Sequence, residues 1–440
     1  MDSTSFPYIF EQHVSVPLSS GGLVRCNVYR PKGSETGCTY PVIVTFGPYG
    51  KDVPYENFHP QSFASLDPAH QTCHSAWETP TPQYWTENGY VVVRGDEPGI
   101  GQSPGVLHVL SAATVDAYCD LVEWASVQSW STGRVGLLGV SYYAAVQWQV
   151  AARNPKGLAA CVPWEGFSDF YSEATRHGGI LSNDFLQVWF ERQIASNQYG
   201  LPGKAARNWG PDTIEGDLTD IELARNKTTL LEEVLQRRYR DDPFFTAVHY
   251  NLEDVKVPIL SVANWGGIML HLRGNVRGFI LAQSEFKYLR FITGRHDLPF
   301  YDPEEVEVQR SFLDAFLKGQ DRVGWAKKDT VPPVNLVLRQ GNPGFNNVDS
   351  EKTFKRRAEY EWPLARTSYQ DLFLTADGEL QFTKPEYRSL TKASYRAFRE
   401  GPMPDIISFQ TTPFQEEREI TGHIVAHLNV SASRDRWGHD

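Results

Sequence analysis

The sharpest chemical signal in this chain is a serine held in a strand–turn–helix context. Ser141 stands in Gly139-Val140-Ser141-Tyr142-Tyr143-Ala144, between the apolar run RVGLLGV (134–140) and the helical stretch AAVQWQVAARNP (144–155). A serine on such a turn presents its hydroxyl above a sheet, where it can attack a carbonyl carbon. The turn demands small neighbours. Gly139 meets that demand before the serine, but Tyr143 takes the place of the last glycine of a G-x-S-x-G pattern. Ala144 then supplies the small side chain one step later. An ordinary serine N-cap leaves the same short signature; the strand before and the helix after favour the nucleophile.

A serine hydroxyl is a weak nucleophile until a base accepts its proton. Among the 12 histidines, His296 follows the apolar run YLRFITG (288–294), the place where α/β-hydrolases carry their base. His271 lies in a helical stretch after Asn264-Trp265-Gly266-Gly267 and reads as a packed helix histidine, while His177 reads as a substrate contact.

The elements that must position these groups follow from the hydrophobic pattern. Residues 12–30 alternate as a hairpin about Gly21 and Gly22. PVIVTF (41–46), YVVVRGD (90–96), LAACVPW (158–164) and VPILSVANW (257–265) are short runs that read as strands buried on both faces. Helical stretches such as 112–127 and 304–318 separate them, which predicts a largely parallel sheet with crossover helices. Between 167 and 255 the strand signal gives way to helical, aromatic segments (FLQVWFERQIA, LLEEVLQRRY), predicting a cap over the carboxyl edge of the sheet. From 331 onward VNLVLRQ, DLFLTA, IISFQ and ITGHIVAHLNVSAS are separated by Gly, Pro and Asp turns, which predicts an all-β module.

The elbow GVSYYA, the helix carrying Gln147 and Trp148, and PWEGFSDFY resemble the cocaine esterase and X-prolyl dipeptidyl aminopeptidase family. FGPYGKD, GDEPGIGQSPG, NWGG followed by RGN, GRH and FLDAFLKG resemble it in the same order. The resemblance implies an α/β-hydrolase domain (1–166 and 256–330), an inserted helical cap (167–255) and a C-terminal jelly roll (331–440). Only about half of a jelly roll is visible, so the module is expected to be partial. An open edge or impaired folding, and with it self-association into a homo-oligomer, is the corresponding expectation.

The resemblance also implies an oxyanion hole made by the hydroxyl of Tyr49 and the backbone N–H of Tyr142. It places the triad acid at Gly267, where this sequence has no carboxylate. The loop Pro163-Trp164-Glu165-Gly166 points at the same sheet edge, so Glu165 is the candidate acid, with Asp169 behind it; an ion pair of Glu165 with Arg176 is the plainer alternative. Asp297 and Asp302 are too close to His296 in sequence to reach its far nitrogen. Trp164, Tyr171, Trp189, Phe190 and Trp265 are the candidate pocket residues.

A formal charge of −11 and the absence of a basic cluster argue against nucleic acid. No apolar run is long enough to span a membrane, and no leader segment is visible. The five scattered cysteines include no C-x-x-C pair, and His70, His74 and Asp67 fit no common metal spacing. A cytoplasmic enzyme without cofactor or metal is expected. It would cleave an ester or amide of an apolar small molecule through an acyl-enzyme on Ser141. An acyltransferase, an X-Pro dipeptidyl peptidase and an inactive binding protein remain alternatives.

Overall fold

Runs of Val, Ile and Leu that are apolar on both sides need a layer above and a layer below, and the chain provides both. The computed structural model describes residues 1–212, 218–246, 250–266, 270–344, 347–386, 392–396 and 406–431. It divides into two compact units, Met1–Tyr360 and Glu361–Asp440.

The first unit is built on a mostly parallel sheet. Its strands are β1 (Tyr8–Pro17), β2 (Leu23–Pro31), β3 (Tyr40–Gly47), β4 (Val91–Asp96), β5 (Ser131–Val140) and β6 (Leu158–Trp164). A two-residue hairpin in the inserted segment supplies β7 (Arg176–His177) and β8 (Ile180–Leu181). The sheet continues with β9 (Ile259–Asn264), β10 (Lys287–Ile292), β11 (Val334–Leu338) and β12 (Lys355–Glu359). Its order is β1-β2-β4-β3-β5-β6-β9-β10-β11-β12. The neighbours from β4 across to β11 run parallel, and β1/β2, β2/β4 and β11/β12 are antiparallel. Helices α1 (Ala112–Ser126) and α2 (Tyr142–Arg153) follow β4 and β5. Helix α3 (Asn183–Trp189) belongs to the insertion, and α4 (Leu272–Leu281) and α5 (Pro303–Leu313) follow β9 and β10. Every residue of β4 and β9 is buried, as strands covered on both faces require.

Three expectations change. The run at 334–338, expected to open a separate β-module, pairs in parallel with β10, and β12 closes that edge in antiparallel register. The physical reason is that alternation specifies a strand but not its partner. In the second unit, β13 (Phe373–Leu374) and β14 (Leu380–Gln381) form a short hairpin, with one isolated bridge between Glu379 and Gln410. Residues 420–431 alternate in sequence yet form no strand among the described residues, because an extended segment needs a neighbour to take its N–H and C=O groups. The insertion also departs from an all-helical cap, since it contains the β7–β8 hairpin. Among the described residues no helix is long and apolar enough to cross a membrane.

Candidate active site

Ser141 caps α2 with φ 61° and ψ −116°, a conformation few non-glycine residues adopt. Its N–H donates to the Trp164 carbonyl at 3.0 Å, and its own carbonyl accepts from Ala145 at 2.8 Å. The strained turn is thus fixed from both sides. A Cβ at Gly139 would lie 2.6 Å from the Tyr143 Cβ, so no side chain fits at position 139. The bulk of Tyr143 is absorbed elsewhere: a Cβ at Gly47 would come within 2.6 Å of its ring. A Cβ at Gly166 would lie 2.8 Å from the Ala144 Cβ, so the start of α2 and the loop after β6 meet through small residues.

The Ser141 hydroxyl lies 3.1 Å from Nε2 of His271. This corrects the expectation that His296 touches the serine. His271 is the N-cap of α4, not an interior helix residue, and this frees its ring to turn toward the elbow. The ring is buried and lies parallel to those of Phe167 (centroids 5.7 Å apart) and His296 (5.0 Å). Its Nδ1 has no hydrogen-bond partner among the described residues. Burial, then the neighbouring His296, hold its pKa well below the ordinary imidazole value.

His296 is tied at both nitrogens. Its Nδ1 meets Glu165 Oε2 at 2.7 Å and its Nε2 meets Glu78 Oε1 at 2.9 Å. The other oxygen of Glu165 accepts from Asn264 Nδ2 at 2.9 Å. Burial works to lower the His296 pKa, but Glu165 and then Glu78 outweigh it and hold it well above the ordinary value. Glu78 is fully buried, and burial pushes its carboxyl up to about 7 despite the His296 contact. It stands in the irregular stretch Trp77-Glu78-Thr79-Pro80.

Glu165 therefore contacts His296 and not Arg176, whose guanidinium donates to the Val234 and Arg237 carbonyls. Asp169 is engaged by Arg240 at 2.7 Å and Arg277 at 3.5 Å. Gly267 lies outside the described residues. His177, in the β7–β8 hairpin, is exposed.

Tyr49 and Tyr142 flank the serine. Tyr142 opens α2, so its backbone N–H is one of the donors a helix start leaves unpaired. The Tyr49 hydroxyl accepts from Trp189 Nε1 at 3.0 Å, which leaves its own proton to give, and it contacts Ser141. Burial holds that phenol well above its ordinary pKa, so it stays a neutral donor. Trp189 also stacks on the Tyr142 ring at 6.1 Å, and Phe190 is buried beside it in sequence. Tyr171 packs against Phe245 and donates to the Arg238 carbonyl. Trp164 is too deeply buried to line a pocket and is corrected, whereas Trp265 is partly exposed. Trp164 is fully buried at the end of β6 against Phe300, and Trp265 stacks on Phe291 and donates to the Val337 carbonyl.

The sequence model of the X-Pro dipeptidyl-peptidase (S15 family) matches residues 20–294. That of the X-Pro dipeptidyl-peptidase C-terminal non-catalytic domain matches 326–437. This chain belongs to the S15 family of α/β-hydrolases. It is 30% identical to cocaine esterase of Rhodococcus sp. (strain MB1 Bresler) over 97% of this chain and 78% of that one. A crystal structure of a CocE/NonD family hydrolase from Staphylococcus aureus is similar with TM-score 0.68 at 30% identity, covering 86% of this chain. The chain spans 60% of the length of that protein. The structure of an α-amino acid ester hydrolase shares the fold at TM-score 0.58 and 18% identity, over 89% of this chain and 65% of the other.

Proposed function

We propose that the chain is a serine hydrolase that cleaves an ester or amide by acyl transfer to Ser141. The observation that carries the reading is the 3.1 Å contact between Ser141 Oγ, on its strained elbow, and the uncharged His271 ring. In this reading Nε2 of His271 takes the hydroxyl proton as Oγ bonds to the substrate carbonyl carbon. The carbonyl oxygen, now an anion, is met by the Tyr142 N–H and the Tyr49 hydroxyl. Two preorganised donors of this kind supply about 3 kcal/mol each in comparable sites. The proton then passes from His271 to the leaving alcohol or amine as its bond to the carbonyl carbon breaks. Water, giving its proton to the same ring, releases the acid and regenerates Ser141.

Glu165 and His296 stand behind this pair as a buried carboxylate–imidazole unit. Trp189, bonded to Tyr49 and stacked on Tyr142, offers apolar surface near the serine, which suits a substrate with a sizeable apolar part. The name of the cocaine esterase relative supports an ester over a peptide bond.

The test is labelling by a fluorophosphonate probe, followed by turnover of p-nitrophenyl esters and of an Xaa-Pro p-nitroanilide. Native protein is expected to label, Ser141→Ala not to label, and the esters to turn over faster. A folded native protein that stays unlabelled, or a Ser141→Ala variant that still labels, would overturn the reading.

A further inference from the structure

Behind the two histidines sits a carboxylate that the proposed chemistry leaves without a task. Glu78 is fully buried and holds φ 62°, an uncommon conformation for a residue with a side chain. Its carbonyl accepts from the N–H of Val140, the residue before the nucleophile, at 3.1 Å. Its Oε1 lies 2.9 Å from His296 Nε2, and its Oε2 has no partner among the described residues. An unpaired carboxylate oxygen in such a place is destabilising unless something is gained by it. A structural residue at this position would be better served by an apolar side chain.

We propose that Glu78 is a positioning residue of the active site: anchored to the elbow by its backbone, it holds the outer edge of His296 and keeps that ring stacked on His271. The proposal rests on the reading that Ser141 and His271 do the chemistry. With Glu165 on one nitrogen and Glu78 on the other, the His296 ring can give both its N–H groups to carboxylates. It then carries a positive charge, stacked 5.0 Å from His271. That charge weakens His271 as a base, so what the clamp contributes is position: a fixed ring against which His271 stacks with its Nε2 toward Ser141.

The other ionisable groups facing this unit are compatible with it. Asp297 stands nearby, but Arg295 pairs with it at 3.0 Å and Ser62, Tyr55 and Trp77 donate to it. Tyr49, Tyr55, Tyr143 and Tyr301 also lie within electrostatic reach of Glu78. Burial holds each phenol in its neutral form. Burial raises the carboxyl of Glu165 as well as that of Glu78, and Glu78 titrates near neutrality, at about 7. Above that pH the clamp is complete; below it Glu78 takes up a proton and stops being an anionic partner.

Glutamine is the neutral counterpart of protonated glutamate, so Glu78→Gln holds the site in its low-pH state. Native protein should show kcat/KM for a p-nitrophenyl ester rising through about pH 7. In Glu78→Gln that rise should vanish, with kcat at pH 8 lowered tenfold or more and KM within twofold. A variant that merely loses packing would scale the profile down and keep its rise, which would overturn the proposal. Where Glu78→Gln does not fold, the native protein decides. The imidazole nitrogens of His296, assigned by comparison with His296→Gln in ¹⁵N spectra, should both carry protons at pH 8. A neutral His296 ring at that pH overturns the clamp. Failure of native labelling removes the catalytic reading instead, and the ¹⁵N spectra still separate the two.

Discussion

His271 and His296 lie face to face, ring centroids 5.0 Å apart and planes 13° from parallel, yet burial lowers the pKa of the first while flanking carboxylates raise that of the second. Among the described residues His271 has a serine on one nitrogen and no partner on the other, while His296 has a carboxylate on each. One ring is arranged to receive a proton and the other to keep one. Most serine hydrolases ask a single histidine to serve both ends of that relay.

The division of labour can be read by substitution. His271→Ala removes the ring that touches Ser141 and should slow fluorophosphonate labelling roughly 10³-fold, within the range for loss of a general base. His296→Ala should slow it less and leave a measurable rate at pH 8, because His271 still faces the serine. Stopped-flow labelling of both variants checks this; equal losses would point to His296 as the direct base.

Tyr49 should behave as a donor used only when charge develops. Tyr49→Phe removes its proton and should lower kcat about 10²- to 10³-fold with little change in KM. Trp189→Phe removes the N–H that occupies the Tyr49 oxygen and should cost less, roughly tenfold. Steady-state kinetics on one ester substrate compare the two.

The elbow stores strain that glycine can release. Ser141→Ala and Ser141→Gly both lose the hydroxyl, but only glycine relaxes at φ 61°. Urea unfolding should therefore find Ser141→Gly more stable than Ser141→Ala by about 1 kcal/mol. Equal midpoints would mean the turn is not strained.

Glu97 makes stability fall with pH. Burial raises its carboxyl from 4.5 to about 8, with Thr114 and Tyr142 hydroxyls donating to one oxygen. The folded chain therefore holds this proton more tightly than the unfolded one. The resulting stability is fully present below about 4.5 and is lost as pH climbs through 8, by up to about 1.4 kcal/mol per unit. Melting temperatures of native protein should decline between pH 5 and 9, and Glu97→Gln should flatten that decline.

Much of this could be read from the chain before its structure. The buried strands of the sheet were legible because unbroken Val and Ile runs have few alternatives. Ser141 was legible because its context is local, a strand on one side and a helix on the other. His271 was not, since a histidine in a helical period looks the same whether it packs or caps, and only the turn of α4 toward the elbow distinguishes them. Glu78 was hidden for a related reason: nothing local says that its carboxylate ends up wholly out of water beside His296. The placement of β11 depended on its partner, β10, more than 40 positions earlier, and no local pattern encodes partners.

The distance along the chain between the parts of this site sets a schedule. Ser141 precedes its contact His271 by 130 residues, and Glu165 precedes His296 by 131. At ribosomal speeds of about 5–20 residues per second, each gap lasts roughly 7 to 26 s. A growing polypeptide therefore carries its elbow for many seconds before either imidazole has been made. During that interval the serine hydroxyl has neither ring to hand its proton to.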